Sequence, residues 1–142
     1  MRRLLEDAGL ADAVKVDSAG TGAWHVGNAA DARAARTMLE KGYDGSSHRA
    51  RVFEPAWLGD RDLIVALDGG HLRQLVAMAG AEEPRGAIRL LRSFDPTAPK
   101  DADVPDPYYG TDSEYLEAFE QIERACRGLL DQVAKVLRRD RV

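Results

Sequence analysis

The residues with the most chemistry in this chain are Asp106-Pro107-Tyr108-Tyr109-Gly110, an acid followed by two phenol rings. Proline fixes its own φ and drives the residue before it out of the helical region, so Asp106 sits on extended backbone with its carboxyl free to face a partner. Such an acid can give or take a proton, and the rings can flank whatever it faces. The same string also fits a surface turn with two half-buried tyrosines. A second polar, glycine-rich loop, Asp17-Ser18-Ala19-Gly20-Thr21-Gly22, leads to Trp24 and His25, and Asp68 closes an apolar run. His25 and His71 share no metal-ligand spacing with other donors.

The elements that must position these loops follow from periodicity. Met1 to Ala8 has Leu4, Leu5 and Ala8 on one helical face with Gly9 as a stop, and no N-cap residue precedes it. Val14-Lys15-Val16 alternates as a strand does. Asp31 to Lys41 predicts a helix with Ala35 and Leu39 facing inward, closed by Gly42. Asp62 to Leu67 is a continuous apolar run of the kind a parallel strand shows when both faces are covered, and Asp68 then lies at its carboxyl end, where α/β sheets bind ligands. His71 to Ala79 fits a helix and Ile88 to Leu91 a strand. The last helix begins near Thr111, with Glu114 three residues on as a capping box. Its apolar stripe runs through Leu116, Phe119, Ile122, Cys126, Leu129, Leu130, Val133 and Leu137. Cys126 therefore belongs to the packing face. Alternation of helix and strand predicts a single α/β domain with a parallel sheet over 1–142.

Composition narrows the partners. A net charge of -4, from 20 basic and 24 acidic residues, with no long basic block, argues against nucleic acid. No apolar run is long enough for a membrane span and the start has no signal-peptide pattern, so membrane association is not expected and a cytoplasmic protein is. The one cysteine can form neither an internal disulfide nor a zinc cluster, which agrees with a reducing compartment and no structural metal.

Several pieces, in order, resemble the low-molecular-weight protein tyrosine phosphatases. They are Asp17-Ser18-Ala19-Gly20 followed by Gly22-Ala23-Trp24-His25-Val26-Gly27, Asp31-Ala32-Arg33, Ser47-His48-Arg49-Ala50-Arg51, Leu67-Asp68, Ser93-Phe94-Asp95-Pro96, and Val104 to Gly110. The resemblance runs the length of the chain. It implies an α/β fold with a doubly wound parallel sheet, the phosphotyrosine phosphatase I-like three-layer sandwich, in strand order 2-1-3-4. It also implies a phosphotyrosine protein or aryl phosphate as substrate, with no cofactor. By resemblance Asp106 is the general acid and, in a second step, the base. Trp24 and Tyr108 wall the cleft with Tyr109 in support, and Ser18 and His48 hydrogen-bond to the phosphate loop and hold its shape.

The family opens with a buried strand and a loop of cysteine, five residues, arginine and serine or threonine, leading into the first helix. Met1 here falls inside that helix, so a sandwich lacking its first strand is expected, truncated at the N-terminus, with sheet edges exposed at Val14-Lys15-Val16 and Asp62 to Leu67. A thiolate phosphatase needs arginine six residues after its cysteine, and six after Cys126 stands Gln132. The chain by itself is expected to be without turnover. Two other functions fit the same fold: a non-enzymatic relative binding a partner through the Trp24 and Tyr108 cleft, and an arsenate reductase. The Asp-Pro-Tyr-Tyr loop favours a phosphatase, because an aryl ester needs an acid for its phenolate and flat walls for its ring.

Overall fold

The computed structural model describes residues 1–20, 32–45, 49–80, 84–107 and 110–140. Among the described residues two parallel strands form the sheet, β1 (Leu63–Ala66) and β2 (Ala87–Leu90), with Leu63 opposite Ala87 and Ala66 opposite Leu90. A crossover helix, Gly69–Ala79, connects them. It is α3 in a chain order of α1 (Arg2–Asp7), α2 (Ala32–Glu40), α3 and α4 (Asp112–Asp140).

β1 explains its own composition. Side chains alternate across a strand, and here both directions lead into apolar surroundings. Ile64 and Ala66 enter a core with Leu58, Leu75 and Leu90. Val65 packs against a second core, on Leu4, Leu91, Val104, Ala118, Ala125 and Cys126. The sheet is thus covered by α3 and the 3₁₀ turn Pro55–Gly59 on one side, and by α1 and α4 on the other. Each fully buried leucine or isoleucine contributes about 1.5–3 kcal/mol, so the two cores hold the strands in register between them.

The long helix α4 starts as its sequence predicts: Thr111 Oγ1 accepts the Glu114 N–H at 3.3 Å. Asp112 and Glu114 occupy its first turn and Arg138 and Arg139 its last, each charge placed to suit the helix dipole. Most of the predicted stripe packs, with Cys126 and Leu129 buried and Ile122 and Leu130 against the core, and the packed face widens toward Tyr115, Ala118 and Ala125. Leu116 faces solvent at 37% exposure. The cause is close approach: small residues let α4 lie against the Leu91–Phe94 turn, and a Cβ on Gly128 would collide with the Phe94 carbonyl oxygen. A leucine at 116 has no such surface to meet.

Three further expectations are corrected. Leu39, predicted to face inward on α2, is 68% exposed. α2 meets the rest of the chain through Arg33, which reaches Gly110 and Tyr115, and Leu39 lies about 240° further round the helix. Val14-Lys15-Val16 forms no strand. The Val14 N–H turns back to Leu10 O at 3.2 Å, and the Val16 carbonyl is taken by Arg2 Nη2 at 2.8 Å, so ladder groups at both ends of the segment are spent locally. Parallel pairing appears further on, as an isolated bridge between Gly20 and Val52. Finally, α3 begins two residues earlier than its apolar pattern suggests, because Asp68 caps it. The glycine stops behave as predicted: Gly9 and Gly42 have φ of +72° and +88°, a region that side chains with a Cβ resist. Asp31, the predicted first residue of α2, lies outside the described residues.

Candidate active site

The site is assembled at the carboxyl end of β1. There the chain turns through Leu67 and Asp68 into α3, and the Asp68 carboxylate accepts the His71 N–H at 2.8 Å. This gives Asp68 the duty of an N-cap, with His71 Nδ1 3.5 Å from the same oxygen.

The acid loop is fastened to that turn. Val104 donates its N–H to Leu67 O at 2.8 Å and its side chain is 6% exposed in the core, so it acts as a plug. Beside it, Asp103 Oδ1 accepts the Gly69 N–H at 2.8 Å, and Arg92 Nη1 donates to the Asp103 carbonyl at 3.0 Å. Asp106 follows two residues later, exposed to solvent. At the far end Gly110 donates to Pro107 O at 2.7 Å, and its own carbonyl accepts Arg33 Nη1 at 2.7 Å. Arg33 also reaches Tyr115 Oη at 3.4 Å, with its guanidinium 4.6 Å from the centre of that ring. The segment carrying Asp106 is therefore tied down on both sides, to β1 and α3 before it and to α2 after it.

Ser18 is exposed, on a segment held by a different set of charges. Its carbonyl accepts Arg51 Nε at 3.4 Å and Nη2 at 3.3 Å. The neighbouring Asp17 carboxylate binds Arg61 at 2.7 Å and Arg51 at 3.1 Å, and the Arg61 hydrogen bond holds its pKa below the usual carboxylate value. Both guanidiniums lie over Trp57, at 5.0 and 4.9 Å from its ring centre. The strand-like bridge from Gly20 to Val52 completes this tie. Trp24, His48, Tyr108 and Tyr109 lie outside the described residues.

Cys126 is not at the site. It is 7% exposed in the core under α4, and burial pushes its thiol pKa up, which keeps it protonated and unreactive. Among the described residues no group of three His, Cys, Asp or Glu side chains is arranged to hold a metal.

Sequence reasoning passed over Asp103, Arg61 and Trp57. Asp103 carried a signal that was available: an acidic side chain two residues before a proline, opposite a Gly-Gly helix start whose N–H groups need acceptors. For Arg61 and Trp57 nothing local distinguished them from surface residues.

A parallel sheet covered on both faces, with the loop before Asp106 fastened at the carboxyl end of β1, defines an α/β protein. A family model described as low molecular weight phosphotyrosine protein phosphatase matches residues 1–139. The low molecular weight protein-tyrosine-phosphatase of Streptomyces coelicolor is 49% identical over 133 residues, 93% of this chain and 80% of that protein. The low molecular weight protein-tyrosine phosphatase A of Mycobacterium tuberculosis is 48% identical over 137 residues, 96% of this chain and 81% of that protein. The crystal structure of the Entamoeba histolytica protein tyrosine phosphatase with Hepes in its active site is similar at a TM-score of 0.86 and 26% identity, covering 94% of this chain and 84% of that one. The chain belongs to the low molecular weight phosphotyrosine protein phosphatase family.

Proposed function

We propose that this chain carries the leaving-group half of a phosphotyrosine-hydrolysing cleft, with Asp106 as its proton donor. The observation that supports this most is the double fastening of the Asp106 loop at the carboxyl end of β1. In the reaction of such an enzyme a cysteine thiolate attacks phosphorus and the phenolate oxygen departs, taking a proton from the acid because phenol has a pKa of about 10. The resulting carboxylate then takes a proton from the water that attacks phosphorus in the cysteinyl phosphate, which restores the acid and releases the cysteine as thiolate. Trp24, Tyr108 and Tyr109 would form the walls beside the substrate ring. Ser18 and His48 would support the loop that grips the phosphate. The substrate is a phosphotyrosine protein or a related aryl phosphate, and we place its action in the cytoplasm, where a thiol such as Cys126 stays reduced.

The attacking half needs a cysteine six residues ahead of an arginine, and that pattern occurs nowhere in the 142 residues. Cys126 cannot substitute for it. The neutral thiol is a poor nucleophile, and a phosphoryl group beside it would have to enter the apolar core. We therefore propose that the 142-residue polypeptide alone has no phosphatase turnover. Incubating the purified chain with para-nitrophenyl phosphate should release no nitrophenolate above a buffer control. Release that disappears in Cys126→Ser would overturn the proposal.

A further inference from the structure

Two carboxylates meet the first turn of α3, and only one comes from its own strand. Asp68 accepts the His71 N–H from within the β1 to α3 turn, as ordinary N-caps do. Asp103 accepts the Gly69 N–H from the acid loop, 34 residues further along the chain. Its backbone is gripped as well, with Arg92 on its carbonyl and the next residue, Val104, bonded to Leu67 O. The Asp103 side chain therefore does little for its own segment's local structure. It joins the start of the Asp106 loop to the helix that leaves β1.

We infer that Asp103 is a positioning residue, a clamp that fixes the Asp106 loop on the N-terminus of α3 and so sets where the proton donor stands. The inference rests on the reading of Asp106 as that donor. A charged acceptor on a helix N-terminal N–H is stronger than a neutral bond and is favoured by the dipole, and here it supplements the Val104 plug. Without the Asp103 carboxylate the start of the loop would be held only by Arg92 on the Asp103 carbonyl and by Val104, with no tie to α3. With Asp103 in place, three contacts at consecutive residues define its direction: Arg92 to the Asp103 carbonyl, Gly69 to the Asp103 carboxylate, and Leu67 to the Val104 N–H.

The test uses the full chain and needs no turnover, so it can fail independently of the catalytic reading. Asp103→Ala and Asp103→Asn both remove the charge, but only asparagine keeps an oxygen for the Gly69 N–H. Amide hydrogen exchange and the carbon-13 carboxyl resonance of Asp106 are compared in the three proteins. In Asp103→Ala, exchange at Val104 and Gly110 should speed up by about tenfold, the loss of one charge-assisted bond, while Ala125 in α4 is unchanged. The Asp106 resonance should move toward that of an unstructured peptide. Asp103→Asn should restore most of both. Should Asp103→Ala fail to fold, Asp103→Glu, which keeps the charge and displaces the oxygens, should show the same loop-confined change. Unaltered Val104 exchange and Asp106 resonance in a folded Asp103→Ala, or an Asp103→Asn protein indistinguishable from it, would overturn the clamp. Because exchange at Val104 and Gly110 reports the position of the loop without substrate, an overturned clamp leaves the reading of Asp106 as donor standing.

Discussion

Two Asp-Pro pairs in this chain, Asp95-Pro96 and Asp106-Pro107, begin alike and end in opposite circumstances. Both aspartates are pushed to extended backbone by the proline that follows. Asp95 is 5% exposed and spends its carboxylate inside the protein: Oδ1 accepts Thr97 N at 2.9 Å and Thr97 Oγ1 at 2.7 Å, and Oδ2 lies 3.4 Å from Arg124 Nε on α4. Asp106 is exposed, on a segment whose backbone and neighbours do the anchoring. The difference separates two uses of one motif. A buried carboxylate committed to fixed donors holds a corner together and is hard to protonate, whereas an exposed one on a loop anchored by its neighbours can be reached from solvent.

Removing the buried acid should give the largest effect. Asp95→Ala leaves the Thr97 N–H and hydroxyl without their acceptor beneath α4, and should cost about 3 kcal/mol of unfolding free energy in urea. A cost near zero would mean that the corner is held by packing alone, including the contact that leaves no room for a Cβ on Gly128.

Acid should expose the same contrast more gently. The Thr97 hydroxyl hydrogen bond, followed by the Thr97 N–H and Arg124, holds the Asp95 carboxyl below its ordinary value. A depressed folded pKa contributes stability that is present above the unfolded value of about 3.9 and is lost as pH falls through the folded one. The melting temperature should therefore fall on acidification partly through this group, and Asp95→Asn should flatten that decline between about pH 5 and pH 2. A parallel decline in both proteins would assign the acid sensitivity elsewhere, Asp17 with its Arg61 bond being the next candidate.

The smallest change in stability is expected at the exposed acid. Asp106→Asn should leave the urea midpoint within about 0.5 kcal/mol of the parent, as surface substitutions do. If it destabilised the chain as much as Asp95→Ala, Asp106 would be a structural corner too, and the distinction between the two pairs would collapse.

The chain's own pattern determined the kinds of element and most of their bounds. Apolar continuity from 62 to 67 marked a strand buried on both faces, glycines at 9 and 42 marked the helix ends, and Thr111 with Glu114 marked the start of α4, because these depend on interactions within a few residues. The family motifs likewise pointed to Asp106. Why Leu116 and Leu39 look outward, and that the Val16 carbonyl goes to Arg2, depended on partners beyond the reach of local pattern. So did the clamp of Asp103 on Gly69 and the opposite environments of Asp95 and Asp106. Local sequence sets backbone preference within one or two turns, but burial and hydrogen-bond satisfaction are properties of distant segments brought together. Only the folded chain decides between a carboxylate that is buried and one that is exposed.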